Sequence, residues 1–314
     1  MGATIQYLNP QQHYTSRTYL TQWFSPHTLV VTDNDLQNQS QSQKLLDQHS
    51  NTDRILDITH NPFPDNQVVL NIRPCLTNNF ERYYDPRPGH VFFPIWLWMY
   101  SLRNPQWWDV LCFDAGTKKS KEVMCLNNRR RSHRTQLWAE LNRLGIIGRI
   151  AYSFVGPEDH AGSYAYQYPM LLRGELEDSQ RNDVGVGHEV YNQCAVNIVT
   201  ETSTDVSYVS EKICKAFVAR QIPVVVGCVG VNKFLQDIGL DMFEDVVPWR
   251  TWDNESDQLI RVNKIAQFMD AWIRGRTILN DYNKLLPRIE KNKQYFHSEV
   301  FRNKIMSQMQ VFTP

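Results

Sequence analysis

From about residue 119 onward, apolar residues come in short unbroken runs separated by amphipathic stretches. Residues 122–127 (Glu122-Val123-Met124-Cys125-Leu126-Asn127) predict a strand. Across 132–144, Leu137, Leu141 and Leu144 stand four and three apart, the spacing of one helix face, and Gly145 follows as a stop. Residues 149–155, 195–200 and 222–227 predict three more strands, and 189–194, 210–221 and 231–238 predict helices, the last closed by Gly239. Strands apolar at nearly every position, alternating with helices, are those of a parallel sheet covered on both faces. From about Asp257 the pattern turns helical and strongly charged. Earlier in the chain, 28–32 and 67–72 predict buried strands, punctuated by Asn61-Pro62-Phe63-Pro64-Asp65-Asn66 and Asp85-Pro86-Arg87-Pro88-Gly89. The Gln, Asn and Ser-rich stretch 34–51 reads as a loop or a polar helix, and Trp96, Trp98, Trp107 and Trp108 as core packing.

Composition narrows this picture. The 314 residues are two domains' worth at about 100–200 residues each. With 42% hydrophobic and 12% aromatic residues the chain can bury a sizeable core, which excludes global disorder. Thirty-three basic residues balance thirty-three acidic ones, so no general affinity for polyanions is implied. The longest apolar run, 91–100, is about half a bilayer span. The polar first dozen residues resemble no export signal. The six cysteines contain no CxxC pair and read as buried thiols of a reducing compartment. A soluble, cytoplasmic protein without a membrane span is expected, and the scattered histidines suggest no metal site.

Charge placement supplies the candidate chemistry. A helix start carries partial positive charge and favours acids. Here the strand ending at Asn127 runs into Asn128-Arg129-Arg130-Arg131-Ser132-His133-Arg134, and the strand ending at Thr200 leads to Ser210-Glu211-Lys212. Cations at two helix starts along the carboxyl edge of one parallel sheet suit a phosphate or diphosphate between them. There is no GxxxxGK[ST] loop, and Gly185-Val186-Gly187 is an incomplete dinucleotide fingerprint. Side chains and helix ends would hold the anion.

These residues also resemble a known family. Thr200-Glu201-Thr202-Ser203, then Tyr208-Val209-Ser210-Glu211-Lys212, then Ile222-Pro223-Val224-Val225-Val226-Gly227 are similar to the donor-binding signature of α1,3-fucosyltransferases. Asn128, Arg134 and Leu141 match the spacing of that family's first donor motif, and Gly230 to Leu235 resembles a Gly-x-x-x-Phe-Leu element of related bacterial and viral sugar transferases. The resemblance spans residues 123–247. It implies an α/β GT-B fold, two Rossmann-like domains facing a cleft, with an acceptor-binding domain at 1–118, a nucleotide-sugar donor domain at 119–275, and C-terminal helices at 276–314 packing back on the first domain. It further implies that Arg134 and Lys212 neutralise the donor diphosphate, that Glu211 accepts hydrogen bonds from ribose hydroxyls, and that Tyr208 and Asn128 line the nucleotide pocket. Arg131 and Ser210 complete the donor-binding set. Glu201 sits near the sugar, or pairs with an arginine as a plain strand-end carboxylate. Thr202 and Ser210 replace the family's Asn and Thr, so the donor is left as a GDP- or UDP-linked sugar.

The expected reaction is a sugar transfer to an acceptor hydroxyl, inverting and metal-independent, with no cofactor beyond the nucleotide sugar. Its general base would be a carboxylate in the first domain, Asp33, Asp35 or Asp114. Asp33-Asn34-Asp35 can also be read as a metal-binding DxD. The expected acceptor is a glycan. The alternative is a hydroxymethylated base in viral DNA, whose backbone could meet Lys118, Lys119, Lys121, Arg129, Arg130 and Arg131; a non-catalytic nucleotide-binding module is a third reading. The basic C-terminal stretch (Lys284, Arg288, Lys291, Lys293, Arg302, Lys304) reads as amphipathic helices or, alternatively, as a surface for an anionic acceptor.

Overall fold

The computed structural model describes residues 6–7, 28–31, 54–57, 75–77, 90–92, 97, 101, 118–127, 131–155, 164–166, 188–204 and 209–307. They form two five-stranded sheets. The first contains β1 (Gln6–Tyr7), β2 (Thr28–Val31), β3 (Arg54–Asp57), β4 (Cys75–Thr77) and β5 (His90–Phe92), side by side in chain order and parallel throughout. Of the early expectations, the strand at 28–32 is present. The strand at 67–72, the stretch 34–51 and the four tryptophans lie outside the described residues.

The second sheet is built from β6 (Lys121–Leu126), β7 (Ile150–Val155), β8 (Tyr164–Tyr166), β9 (Cys194–Thr200) and β10 (Ile222–Val226), in the order β10-β9-β6-β7-β8. All its pairings are parallel except β7 with β8. Between the strands run α1 (Ser132–Arg143), α2 (His188–Gln193) and α3 (Glu211–Val218); α4 (Val231–Asp237) and α5 (Arg250–Asp253) follow. The predicted α/β architecture with a parallel sheet is therefore present. Every residue of β9 and β10 is buried, as expected for strands covered on both faces. Pro223 is tolerated in β10 because that strand is a sheet edge and needs no second ladder partner. Inside the sheet Asn197 is buried, and its Nδ2 donates to Gln221 Oε1 at 2.9 Å, so burial leaves that amide satisfied.

The end of the described chain is helical: α6 (Gln258–Gly275), α7 (Ile278–Phe296) and α8 (Glu299–Ser307). α6 runs alongside α1 in the same direction. Gln258 Nε2 bonds Gln136 Oε1 at 2.8 Å near the two starts, and Arg274 Nη2 bonds the Leu144 carbonyl at 2.7 Å near the two ends. α7 closes over the end of α4, where Tyr295 donates to the Ile238 carbonyl at 2.8 Å. The turn beneath it needs Gly239, whose φ is +99° and where a Cβ would stand 2.5 Å from the Tyr295 hydroxyl oxygen. Phe296 joins Phe217 and Phe301, with ring centroids 6.0 and 5.3 Å away. No helix among the described residues is long and apolar enough to cross a membrane. Cys125, Cys194, Cys214 and Cys228 are free and buried, and burial pushes the Cys125 and Cys194 thiols up to about 12.

Candidate functional site

Strand order alone nominates one edge of the second sheet. β6 has β7 on one side and β9 on the other, and β9 leads on to β10 farther out. The chain leaving β6 and the chain leaving β9 therefore depart in opposite directions. A crevice outside the carboxyl ends of two such strands is where doubly wound sheets hold ligands. The register pairs Met124 with Asn197, which brings Asn127 level with Thr200, and the Thr200 hydroxyl donates to Asn127 Oδ1 across the gap. α1 and α3 both begin at this edge.

Arg131 stands at the N-cap of α1 with no side-chain capping bond, and the first turn holds no acid. His133 and Arg134 are buried, at 2% and 5% exposure, because they share the inward face with Leu137 and Leu141. Both reach the end of β9. Arg134 Nη2 donates to the carbonyls of Thr200 and Glu201 at 3.1 and 3.0 Å, and His133 Nε2 donates to the Glu201 carbonyl at 2.9 Å. A carbonyl leaving the sheet loses its ladder partner and, once buried, needs another. Burial, with the Arg134 charge beside it, pulls His133 down to about 4, so the ring is neutral with its proton on Nε2. Burial also lowers Arg134, to about 10, against the opposing pull of Glu201.

Glu201 has no exposed surface. Its carboxylate accepts the Ser210 backbone N–H at 3.1 Å and the Ser210 hydroxyl, a short contact. Burial raises its pKa, and the Lys212 charge and the Ser210 bonds oppose that rise. Gly227, at the end of β10, makes room for it: a Cβ there would lie 3.5 Å from Glu201 Cγ and 3.1 Å from Val231 Cγ1.

Ser210 is also the N-cap of α3, its Oγ accepting the Lys212 N–H at 3.3 Å. The same oxygen accepts Lys212 Nζ at 3.1 Å. That ammonium also bonds Thr202 Oγ1 at 3.1 Å and Glu211 Oε1 at 3.2 Å. The Lys212 and Glu211 side chains stay partly open, at 28% and 19% exposure. The arrangement is layered. Arg134, His133 and Glu201 form a buried floor, Ser210 joins floor to rim, and Lys212 and Glu211 form the accessible rim.

Several expectations change in detail. The resemblance implies that Arg134 neutralises a donor diphosphate; here its Nη2 donates to two backbone carbonyls at the end of β9. Glu201 neither faces the crevice nor pairs with an arginine through its carboxylate oxygens, which go to Ser210. Asn128, Tyr208, Asp33, Asp35 and Asp114 lie outside the described residues. Of the basic residues considered for a DNA backbone, Lys119 is buried, with Nζ bonded to the carbonyls of Tyr191 and Ala219 at 2.9 and 2.7 Å. It and Lys121 stand at the amino end of β6, opposite Arg131, whereas Arg129 and Arg130 lie outside the described residues. In the C-terminal stretch, Arg288 is held bidentate by Asp241 and again by Asp245, which removes it from any anion-binding surface.

His133 and Thr200 were not singled out as site residues. The signal for His133 was its place four residues before Leu137, on the face that turns inward. No group of three potential metal ligands occurs among the described residues.

The chain is similar over most of its length to solved structures titled α1,3-fucosyltransferase. The structure with GDP matches at 12% identity and a TM-score of 0.42, covering 91% of this chain and 90% of that one. The structure with GDP-fucose matches at 11% identity and 0.42, covering 91% and 89%. A third matches at 12% and 0.46, covering 92% and 78%. No family model matches the chain, and no curated protein matches it by sequence. A likeness at this level carries no residue roles from those enzymes to this chain.

Proposed function

We propose that the protein is a glycosyltransferase that moves a sugar from a nucleotide-diphosphate sugar to an acceptor hydroxyl. The observation that carries the proposal is the rim at the β6/β9 switch point. An accessible ammonium, Lys212, stands at the start of α3 beside the side-chain-uncapped start of α1, with a carboxylate, Glu211, next to it. A diphosphate matches the ammonium and the two helix starts, and a ribose diol matches the carboxylate. In this reading Lys212 and the two helix starts stabilise the charge that grows on the departing diphosphate. The positive floor of Arg134 reinforces them, and Ser210, held by Glu201, fixes where the ammonium stands.

The motif resemblance supports direct displacement with inversion at the anomeric carbon, without a metal, and with a glycan as acceptor. The acceptor proton would go to a carboxylate of the first domain, Asp33, Asp35 or Asp114. The buried Lys119 weighs against DNA as acceptor.

The test is a donor screen with GDP- and UDP-sugars and an oligosaccharide acceptor, followed by anomeric analysis of the product. Nucleoside diphosphate release that persists in EDTA and gives an inverted glycosidic bond is expected. One of Asp33→Asn, Asp35→Asn or Asp114→Asn should then stop turnover while donor binding is retained. No release from any donor, together with no binding of GDP or UDP, would overturn the proposal.

A further inference from the structure

The start of α6 is capped by Asp257, whose carboxylate accepts the N–H groups of Leu259 and Ile260 at 2.8 and 3.1 Å. The side chain of Gln258, the first residue of the helix, is therefore not needed there, and its amide meets two other elements at once. Nε2 donates to Ser132 Oγ at 3.1 Å and to Gln136 Oε1 at 2.8 Å, both in the first half of α1. Oε1 accepts the Thr204 hydroxyl at 2.5 Å, four residues beyond the end of β9. Arg261, one turn along α6, donates from Nη2 to the Thr204 carbonyl at 3.4 Å, so α6 grips that residue twice. Thr204 is buried and belongs to the same stretch as Thr202, whose hydroxyl accepts Lys212 Nζ at 3.1 Å.

We infer that Gln258 is a positioning residue for the diphosphate site, setting the distance between the start of α1 and the stretch whose Thr202 holds Lys212. The inference rests on the nucleotide-sugar reading above. Asn127 and Thr200 join the two strand ends, and beyond them α1 and the chain leaving β9 part in opposite directions. The Gln258 amide rejoins them. A diphosphate must meet both helix starts at one separation, and small errors of placement are costly to a ligand held at two points. A single phosphate needs one start and is indifferent to the separation. Gln258 thus favours ligands carrying two phosphates over ligands carrying one, and it does so through the groups it spaces.

Titration calorimetry with UDP and GDP, and displacement of each by UMP and GMP, tests this in wild type, Gln258→Met, Thr204→Val and the double variant. Met keeps the chain length and favours the helix while removing the amide bonds. Each single variant should lower the ratio of diphosphate to monophosphate affinity roughly two- to tenfold, the range of one net hydrogen bond. The double variant should lower it no further than the larger single effect, because both substitutions remove one bridge. A purely structural role would move the urea midpoint and leave the ratio alone. An unchanged ratio in either single variant, or effects that add in the double variant, would overturn the inference and leave nucleotide binding by wild type standing. Where monophosphates displace nothing, diphosphate affinity itself takes the place of the ratio in the same cycle. Should Gln258→Met not fold, Thr204→Val carries the ratio test alone. Failure of wild type to bind UDP and GDP would remove the nucleotide reading together with the inference.

Discussion

The two ends of α3 each meet a lysine, and the two lysines live under opposite rules. At the carboxyl end of the helix Lys119 is 7% exposed. Its ammonium lies between the Ala219 carbonyl, at the end of α3, and the Tyr191 carbonyl, at the end of α2. A cation against the negative ends of two helices is what the helix dipole favours. At the amino end Lys212 opposes the dipole, stays partly open, and takes its bonds from two hydroxyls and a carboxylate. The first lysine is held by backbone acceptors that move only if the fold does. The second is held by side chains that can be exchanged for a ligand. Conformity with the dipole marks the structural lysine, and violation of it marks the lysine we propose meets a ligand.

Substituting the two in parallel separates these roles. Lys212→Met should cost about 2–4 kcal/mol of nucleoside diphosphate affinity, as when one partner of a hydrogen-bonded charge pair is removed, while stability moves by less than about 1 kcal/mol. Lys119→Met should reverse the pattern. Losing a donor to the Ala219 carbonyl costs about 1–3 kcal/mol of stability, and affinity for the same ligand should be unchanged. Gln221 Nε2 also donates to the Tyr191 carbonyl, so the loss falls chiefly on Ala219. Urea unfolding and calorimetry on both variants measure this. Loss of affinity in Lys119→Met with stability intact would break the distinction.

Titration sharpens it further. Burial, with the Arg220 charge, lowers Lys119 to about 7 from 10.5. Between those values the unfolded chain holds the proton that the native chain gives up, so Lys119 should make stability rise with pH from about 7, a rise that the buried Cys125 and Cys194 thiols oppose above their ordinary value of 9.0. Lys119→Met should flatten that rise. At the floor of the site, His133 falls to about 4 from 6.5, so stability should be lost as pH drops from 6.5 toward 4. His297, lowered to about 4 by burial in the same way, contributes with the same sign. His133→Gln should therefore reduce the acid sensitivity without abolishing it, as read from urea midpoints between pH 4 and 7.

Much of this was legible in the sequence where the physics is local. Continuous apolar runs at 195–200 and 222–227 announced covered parallel strands, and β9 and β10 are buried throughout. Gly145 and Gly239 stop α1 and α4 at positive φ as expected. β3, β4, β5 and β8 span only three or four residues each, too few for a pattern to show. At the site, Ser210-Glu211-Lys212 stood out because charge conflicts with dipole within one turn.

Burial of Glu201 was not legible, because it depends on Ser210 returning to the strand end nine residues later. Nor was Lys119, whose acceptors are 72 and 100 residues away. Among the arginines, one has a structural partner that the sequence did not announce. Arg134, in the first turn of α1, shares the buried face with Leu137 and Leu141, and backbone carbonyls at the end of β9 accept from its Nη2.

The central claim is that the β6/β9 switch point receives a nucleoside diphosphate. Amide hydrogen exchange with and without saturating GDP or UDP tests it most directly. The account predicts protection at the starts of α1 and α3, residues 131–134 and 209–213, with the amino edge around Lys119 unchanged. Protection confined to other segments, or none at either helix start with ligand bound, would contradict it.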